Sequence, residues 1–426
     1  MNAHDYYRLR YPYDELVALL TSNGDELHHF EFAIEGTDTY TRYVSVHSAK
    51  ELKAAVTRHR NVATFHFGPA FTGLPESRKS SDVYTHTSVP HRRVLSFDVD
   101  LTDYDWLGFK DKEVPIARCD WAYPVSAIAL QLLKKLLEEA FAYTKILMVY
   151  SGRRGVHVHV FDEHAMALSD AGRSAVAGYL NNKLSFNKNV RSDDEVRLLM
   201  FMHNLKPTVY ELFENVLLKR MDLFGSLDAR VNFVNRLEVE QYPKLAGGAL
   251  LSLADDVMDM DTGEQAWEFI RQKVLAVGAA WMAQRLDAVV LAYVWPRLDY
   301  HVTADLGHLT KVPFAAHAKT RRVAVAIDPD DFYAFDPTSA PQLDTFDDAA
   351  MAAAVQRFRL KPPVTRRPPT PDDLGAVCDL EDLARGTDPV PMDTSKPENN
   401  NKSNKRPLPR KMRFERKPSP LAVQRS

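Results

Sequence analysis

The stretch SFDVDLTDYD, residues 96–105, places four carboxylates, Asp98, Asp100, Asp103 and Asp105, among aromatic and β-branched residues. On a strand, side chains two positions apart share a face, so Asp98 and Asp100 stand about 6–7 Å apart. Carboxylates at that spacing suit the joint binding of divalent cations, as when Mg²⁺ is held by carboxylates and substrate phosphates. A strand whose polar face meets water explains the same pattern, so residues elsewhere have to decide between the two interpretations.

A second group of residues, in YSGRRGVHVHV, combines two adjacent arginines with glycines that free the backbone around them. Arg153 and Arg154 offer bidentate donors suited to phosphate oxygens, while Ser151 adds a hydroxyl and His157 begins the following strand. A solvated hairpin turn is the plainer explanation of an arginine pair bounded by glycines. His157 and His159 form an alternative metal-binding pair, but no cysteine or third histidine nearby is placed to complete a zinc site.

A third group lies in WPRLDYHVTADLGHLTKVPFAAHAKTRR, where Asp299 is followed by a cluster of basic residues that includes Lys311 and His317. Taken alone, this segment is better explained by a basic surface loop, although phosphate binding also fits it. Together the three segments supply carboxylates for two metal ions and basic groups for a triphosphate. Nucleotidyl transfer needs both, because charge builds on the leaving pyrophosphate during the in-line displacement.

The elements that must position these residues follow from the hydrophobic pattern. VLSFDVDL alternates polar and apolar residues and predicts a strand with its two aspartates on one face. KILMVYSG and GVHVHVFD predict two further strands around the arginine turn. PVSAIALQLLKKLLEEAFAY predicts an amphipathic helix with proline at its start. Near the N-terminus, YPYDELVALLTSNG predicts a helix, and HHFEFAIEGTDTYTRYVSV predicts a hairpin that turns near Gly36.

Composition changes sharply along the 426 residues, which carry a net charge of −3 and are 45% hydrophobic. Residues 396–426 hold ten Lys/Arg and two Glu, a net charge of +8, which leaves −11 on the remainder. Twelve of the 25 prolines lie from Pro362 to Pro420, so we expect a disordered tail after Phe358. Its basic stretch KRPLPRKMRFERK fits a nuclear localisation signal, a nonspecific phosphate contact or a solvated tail.

Two cysteines, Cys119 and Cys378, are too few for a disulfide framework, which favours a reducing compartment. The N-terminal MNAHDYYRLRYPYDE has no apolar segment of a secretory signal. The most apolar long stretch, residues 274–295, is interrupted by charged and amide side chains. It predicts a buried helix, so we expect no membrane association.

FDVDLTDYD, YSGRRGVH and PRLD followed by LGHLTKVPFAAHAKT resemble the motifs of the small catalytic subunits of archaeo-eukaryotic DNA primases. The residues of these motifs are most similar to those of the eukaryotic branch. The resemblance covers about residues 5 to 345. It implies an α/β (α+β) catalytic core, with a mixed sheet and flanking helices. The implied catalytic core has two parts, residues 1–184 and 291–358. A helical insertion separates them at residues 185–290, and a disordered Pro-rich and basic tail follows at residues 359–426.

The resemblance also implies roles for individual residues. The metal-binding aspartates of the family, which hold two Mg²⁺ or Mn²⁺ ions, correspond to Asp98, Asp100 and Asp299. The residues that bind the phosphates of the incoming nucleotide correspond to Ser151, Arg153, Arg154, His157, Lys311 and His317. Glu31 and Arg42, in the N-terminal hairpin, correspond to positions that line the active site. Asp103 and Asp105 belong to the same string, and we expect them to fix the turn after the strand.

The sequence departs from the family pattern at two places. Family members commonly carry four Cys or Cys/His zinc ligands shortly after the acidic motif, whereas WLGFKDKEVPIARCDW keeps only Cys119. Because structural zinc takes four ligands, we expect this zinc site to be absent or degraded. In TFHFGPAF, His66 stands where the family often has an aspartate near the nucleotide ribose. That change weakens the expected contact with the 2′-hydroxyl and therefore the preference for ribonucleotides.

By this resemblance, the function is synthesis of short RNA primers de novo on a single-stranded DNA template from ribonucleoside triphosphates. The implied partners are a large primase subunit and a replicative DNA polymerase. The implied location is the nucleus for a cellular eukaryotic protein, and the replication compartment otherwise. Two alternatives are a primase-polymerase that uses deoxynucleotides in repair or in viral or mobile-element replication, and a non-catalytic replisome scaffold. The clustered acids and arginines argue against a scaffold, which has no need of partly buried charge.

Overall fold

Two antiparallel sheets carry the segments identified above. The computed structural model describes residues 1–79, 88–109, 113–180, 204–237, 250, 252–278 and 280–358. These residues all lie in one unit, Met1–Arg366. The predicted disordered tail, residues 359–426, lies outside the described residues, as does the beginning of the predicted helical insertion, up to residue 203.

The first sheet has the strand order β2-β1-β3-β4, with β8 pairing to another part of β3. Its strands are β1 Phe30–Gly36, β2 Tyr40–Val44, β3 Val62–Phe71, β4 Pro90–Arg92 and β8 Thr310–Lys311. The predicted N-terminal hairpin is confirmed as β1 and β2. It turns at Gly36, whose N–H donates to the carbonyl of Thr39 at 2.8 Å.

The second sheet has the order β5-β7-β6-β9. Its strands are β5 Leu95–Asp100, β6 Ile146–Tyr150, β7 Gly155–Val160 and β9 Val325–Ala326. The predicted alternation of β5 is confirmed, because Phe97 and Val99 are fully buried while Asp98 and Asp100 are partly exposed. Every strand pair among the described residues is antiparallel, so the expected mixed sheet is here a pair of antiparallel sheets within an α+β fold.

Helices pack against both sheets. Their bounds are Ala3–Leu9, Tyr13–Leu20, Ala49–Arg58, Ile116–Trp121, Tyr123–Phe141, Glu163–Met166, Asp170–Leu180, Leu227–Arg236, Leu253–Asp256, Gly263–Ala276, Ala280–Val294, Tyr300–Ala304 and Asp348–Phe358, with a π-helix at Phe213–Arg220. The helix predicted from Pro124 is confirmed, with that proline in its first turn, where a missing N–H costs no hydrogen bond. In the part of the chain that the structure describes, no helix is long and apolar enough to span a bilayer.

The described parts of the predicted insertion, residues 204–237, 252–278 and 280–290, are mainly helical and have an aromatic centre of their own. The ring of Phe213 lies 4.9 Å from that of Trp267 and 5.7 Å from that of Phe233. Buried Arg230 donates to the carbonyls of Phe224 and Met260, and so joins the ends of two turns. These contacts form a local helical core, while the boundaries at 184 and 290 stay predictions.

Candidate active site

The antiparallel pairing of β5 with β7 brings the first two predicted groups together. Asp98 lies opposite His157, and the Oδ1 of Asp98 is 3.6 Å from the Nε2 of His157. Asp100 lies opposite Gly155, and its Oδ2 accepts a hydrogen bond from the Nε of Arg154 at 2.9 Å. Residues more than fifty positions apart therefore share one face at the end of a two-stranded ladder.

Two glycines shape the turn between β6 and β7. A Cβ on Gly155 would lie 2.6 Å from the carbonyl oxygen of Val99, closer than such atoms approach in proteins. Gly152 has φ +92°, and a Cβ there would lie 3.0 Å from both the Cβ of His317 and the carbonyl oxygen of Arg322. The glycines of the GRRG motif therefore allow close backbone approach to β5 on one side and to the 317–322 segment on the other.

The third predicted acid, Asp299, joins the first two through its main chain. Its N–H donates to the carbonyl of Asp98 at 3.1 Å, and its side chain caps the helix Tyr300–Ala304. Thr303, on the same helix, donates its hydroxyl to the carbonyl of Ser96 at 2.9 Å. The helix is therefore fixed along β5 at two points, and its N-cap carboxylate stands next to the acidic strand.

A fully buried arginine fixes the other end of that helix. Arg93 donates to the carbonyls of Val302 and Asp305 and to the Oγ1 of Thr310, at 2.9–3.0 Å. Burial lowers the pKa of Arg93 to about 9, with the neighbouring Arg173 adding to the effect. Arg93 thus joins the start of β5, the helix that begins after Asp299 and the strand β8.

The surroundings of Asp98 disfavour the charged form of its carboxyl. Burial raises the pKa of Asp98 from its usual value of 3.8 to about 7, and the charges of Asp100 and Asp299 add to the rise. Lys311 and Arg154 act in the opposite direction. The pKa stays raised with these two cationic side chains nearby, and a divalent cation would supply the further positive charge that stabilises the carboxylate.

Strand β8 brings Lys311 from the first sheet to these acids. Lys311 lies opposite His66 on β3. Its charge acts to lower the pKa of Asp98, and the charge of Glu35 acts to raise the pKa of Lys311. Burial lowers the pKa of Lys311. Burial and the charge of Lys311 also lower the pKa of His66 to about 4, so the imidazole is neutral near pH 7. The Nε2 of His66 is 3.9 Å from the Oε2 of Glu35.

Tyrosines of the N-terminal YYRLRY segment hold the chain around His317. The hydroxyl of Tyr6 donates to the carbonyl of Phe314, and that of Tyr11 donates to the carbonyl of Pro313, both at 2.8 Å. His317 packs against the arginine turn, and burial together with surrounding cationic side chains lowers its pKa to about 4. The first helix and the last predicted group are therefore connected by direct hydrogen bonds.

Two members of the arginine turn have partners within the fold. Arg153 is buried, and its Nη2 donates to the carbonyl of Val114 at 3.0 Å. The Oγ of Ser151 accepts the N–H of Gly155 at 3.2 Å, and so closes the turn. Arg154 pairs directly with Asp100, an acid of the predicted site.

Glu31 and Arg42 face each other across the N-terminal hairpin. Glu31 is fully buried and accepts two hydrogen bonds from Arg42, at 2.8 Å and 3.2 Å, and one from the N–H of Tyr43. The hydrogen bond to Glu31 raises the pKa of Arg42. The structure thus brings these two predicted residues together with each other, and their described hydrogen bonds stay within the hairpin.

Asp103 and Asp105 have the structural surroundings expected of them. Asp105 accepts hydrogen bonds from Arg236 and Arg297, each at 2.9 Å, while the carbonyl of Asp103 accepts one from Arg297. Arg297 lies two positions before Asp299. The turn after β5 is therefore tied both to the helical region and to the segment that delivers the third acid.

The donor set of the three acids fits hard divalent cations, since it offers carboxylate oxygens beside basic groups. In the described residues, the oxygens of Asp98, Asp100 and Asp299 do not all lie within 4.8 Å of one another.

Sequence reasoning missed two residues beside the acids. Thr102 donates its N–H and its hydroxyl to the Oδ1 of Asp100, at 2.9 Å and 2.8 Å. An aspartate followed two residues later by a threonine at a strand end is a signal for such a turn. The charge of Glu35 acts to raise the pKa of Lys311, and its Oε2 lies 3.9 Å from the Nε2 of His66. These three residues meet only because β1, β3 and β8 pair with one another.

Cys119 is buried in the helix Ile116–Trp121, and burial raises the pKa of its thiol. Cys378 lies outside the described residues. The degraded zinc site after the acidic motif stays a prediction from the sequence.

Comparison with known proteins identifies the class of this fold and site. The family model described as DNA primase small subunit matches residues 97–329, which include the acidic strand, the arginine turn and Asp299. The DNA primase small subunit of Schizosaccharomyces pombe is 30% identical over 356 residues, covering 80% of this chain and 75% of the relative. That of Drosophila melanogaster is 28% identical, covering 84% and 85%, and that of Thermococcus kodakarensis is 27% identical, covering 57% and 66%.

The chain belongs to the DNA primase small subunit family. These two eukaryotic relatives match a larger share of the chain than the archaeal relative does, in agreement with the motif sequences.

Proposed function

We propose that this protein is the catalytic small subunit of a DNA primase, a nucleotidyltransferase that makes short RNA primers de novo on single-stranded DNA. The observation that carries the proposal is the meeting of Asp98, Asp100 and Asp299 with Arg154 and Lys311 in one place. Acids beside bases at the end of a strand suit a nucleoside triphosphate and its cations. Membership of the primase family supports the same assignment.

In this proposal Asp98, Asp100 and Asp299 hold two Mg²⁺ or Mn²⁺ ions. When bound, such ions activate the attacking 3′-hydroxyl and neutralise charge on the triphosphate. Arg154, Lys311 and other basic residues of the site hold the triphosphate as negative charge builds on its leaving end. The other members of this basic group are Arg153, His157 and His317, with the Ser151 hydroxyl beside them.

His157 and His317 have pKa values lowered to about 4 chiefly by burial, so both imidazoles are neutral near pH 7. A neutral imidazole donates one N–H to a phosphate oxygen and adds no charge. Arg153, Arg154 and Lys311 therefore carry the positive charge, while the histidines fix orientation. Glu31 supports this surface indirectly, because it holds Arg42 in the hairpin beside β3.

The proposal is tested by primer synthesis on a homopolymer DNA template with labelled ribonucleotide and Mg²⁺ or Mn²⁺. We expect Asp98→Asn and Asp299→Asn proteins to make no detectable primer, because each removes a cation ligand without changing side-chain size. Asp14→Asn, at an exposed helix position, is the matched control and should retain full activity. Full activity of either site variant would refute the metal assignment.

A second candidate, a primase-polymerase that prefers deoxynucleotides, is favoured by one observation. His66, where the family often has an acid, is neutral and lies opposite Lys311. A neutral imidazole holds a 2′-hydroxyl less strongly than a carboxylate does. Competing labelled ribo- and deoxynucleotides in one reaction distinguishes the two, since a primase that makes RNA incorporates mainly the ribonucleotide. A His66→Asp variant should shift the ratio further towards ribonucleotides.

By kinship, we propose a large primase subunit and a replicative polymerase as partners, and the nucleus as location if the protein is from a cellular eukaryote. These assignments rest on family membership alone. Co-purification of a tagged chain from its native cells, followed by mass spectrometry, tests the partners.

A further inference from the structure

A group of metal-ligating side chains lies at the opposite end of the β1–β2 hairpin from its turn. Ligand atoms of Glu26, His28 and His29 all lie within 4.8 Å of one another. Among the residues that the structure describes, no other group of three or more His, Cys, Asp or Glu side chains has its ligand atoms this close together. None of the three belongs to the candidate active site, and none was singled out by the motifs.

The distances within this group suit a single small cation. The Oε2 of Glu26 lies 3.3 Å from the Nε2 of His28 and 4.0 Å from the Nε2 of His29. A tetrahedral ion with ligands at about 2.0–2.2 Å separates its ligand atoms by roughly 3.3–3.6 Å. The Glu26–His28 distance already matches that spacing and the Glu26–His29 distance is slightly longer, while all three residues are partly or fully exposed to solvent.

Pairing of the hairpin delivers a fourth candidate ligand. Phe32 lies opposite Val44, which places the chain after β2 beside the chain before β1. The hydroxyl of Ser45 donates to the carbonyl of His28 at 2.6 Å and fixes this approach. The His47 ring then lies 4.7 Å from the His28 ring, centroid to centroid, while the His29 ring lies 4.3 Å from it.

We propose that Glu26, His28, His29 and His47 form a binding site for a divalent transition-metal ion, with zinc as the ion that best fits three imidazoles and one carboxylate. Imidazole ligands favour zinc and its neighbours over Mg²⁺ and Ca²⁺, which take oxygen ligands. The site therefore differs in ligand chemistry from the three-aspartate site. It also shares no residue with the cysteine motif after the acidic strand.

A metal at this site joins the residues before β1 to the residues after β2. Those two strands carry Glu31 and Arg42, so the ion would clamp the hairpin that holds this buried pair. The proposal does not depend on primer synthesis, since it rests on the side chains of the cluster alone. Failure of the primase assignment would leave it intact.

The test uses the untagged full-length protein, stripped with chelator and titrated with Zn²⁺ by calorimetry in millimolar Mg²⁺, which occupies the acidic site. We expect one zinc per chain and a higher melting temperature with zinc than without it. Changing His28→Gln or His29→Gln should weaken zinc binding at least about tenfold and remove the thermal shift. His47→Gln, at an exposed position, should also weaken binding and serves if either of the other variants folds poorly.

Three controls separate this site from other sources of zinc binding. His164→Gln removes an exposed histidine outside the cluster, Asp98→Asn alters the acidic site, and Cys119→Ser removes the buried thiol. All three proteins should bind zinc as the unmodified protein does. The proposal is overturned by no zinc binding, by unchanged binding in the cluster variants, or by loss of the zinc in Asp98→Asn or Cys119→Ser.

Discussion

At the scale of single residues, the site is defined by charges that are placed close together before any ligand arrives. Asp98 has a pKa of about 7 because it is partly enclosed beside two other acids, and Lys311 has a lowered pKa because it is buried. The fold therefore shifts the pKa of each of these two groups towards the neutral form. Perturbed pairs of this kind are common at functional sites, because the same arrangement prepares them for a charged ligand.

His66 gives a prediction on the pH dependence of stability. Its folded-state pKa of about 4 lies below the ordinary value of 6.5, chiefly because of burial. The unfolded chain therefore takes up a proton first as the pH falls, so stability is complete above pH 6.5 and is lost towards pH 4. We expect His66→Gln to make the fall of the urea midpoint between pH 6.5 and 4 less steep.

The control for this prediction is His164→Gln, which removes an exposed histidine. Its urea midpoint should fall with the same slope as that of the unmodified protein. An equal slope in His66→Gln would show that His66 is not the group that takes up the proton.

At the scale of elements, the pairing of β5 with β7 is the feature that makes a site from two separate motifs. The register places Asp98 opposite His157, and a shift by one residue would turn both aspartates to the other face. Gly155 sets this register at the end of the ladder, because its lack of a side chain lets the strands approach. Asp299 then joins through the carbonyl of Asp98, so the third acid follows the position of the strand.

Gly155→Ala should therefore damage both stability and activity. Its Cβ would lie 2.6 Å from the carbonyl oxygen of Val99, a backbone atom that cannot rotate away. We expect a loss of about 1–3 kcal/mol in the free energy of unfolding, together with reduced primer synthesis. Chemical denaturation followed by circular dichroism measures the first effect.

Gly178→Ala is the matched control, because a Cβ at this helical glycine would meet no atom within 4 Å. It should raise stability by roughly 0.5–1 kcal/mol, since alanine favours the helix. If the two substitutions had similar effects, close packing at Gly155 would not explain its role.

At the scale of the whole molecule, residues 313–326 complete a core that begins with the tyrosines of the first helix. Tyr6 and Tyr11 bond to the 313–314 backbone, and β9 adds to the sheet that contains β6 and β7. Arg322 joins this segment to the helix Ile116–Trp121 through both oxygens of Asp120, at 2.5 Å and 3.0 Å. The site therefore depends on contacts between distant parts of the sequence.

Breaking the Arg322–Asp120 pair should destabilise the whole fold. The Arg322 and Asp120 side chains are 7% and 15% exposed, so removing either partner leaves a nearly buried charge without compensation. We expect Arg322→Met to cost about 3–5 kcal/mol in the free energy of unfolding. The double variant Arg322→Met with Asp120→Leu should lose less than the two single variants together, as a double-mutant cycle will show.

Asp344→Asn is the control for this pair, because the Arg321–Asp344 pair is largely exposed. Its effect should stay within about 1 kcal/mol, since water already solvates both charges. A similar loss in Arg322→Met and Asp344→Asn would contradict the role given to burial.

The local pattern of the sequence was enough for several elements. The alternation in VLSFDVDL predicted β5 and its acidic face, the proline-led apolar pattern predicted the helix Tyr123–Phe141, and the glycines predicted the turn between β6 and β7. These features depend on neighbours within a few positions, so periodicity and turn chemistry determine them. The motif order also pointed to the primase family, which the comparisons confirm.

Only the tertiary structure decided which of these residues meet. It paired Arg154 with Asp100, gave Arg153 a backbone partner, kept Glu31 and Arg42 with each other, and made every described strand pair antiparallel. It also brought Glu26, His28, His29 and His47 together through the hairpin register. Such contacts join positions far apart in the chain or across strands, and they depend on registers and packing that no local pattern of residues specifies.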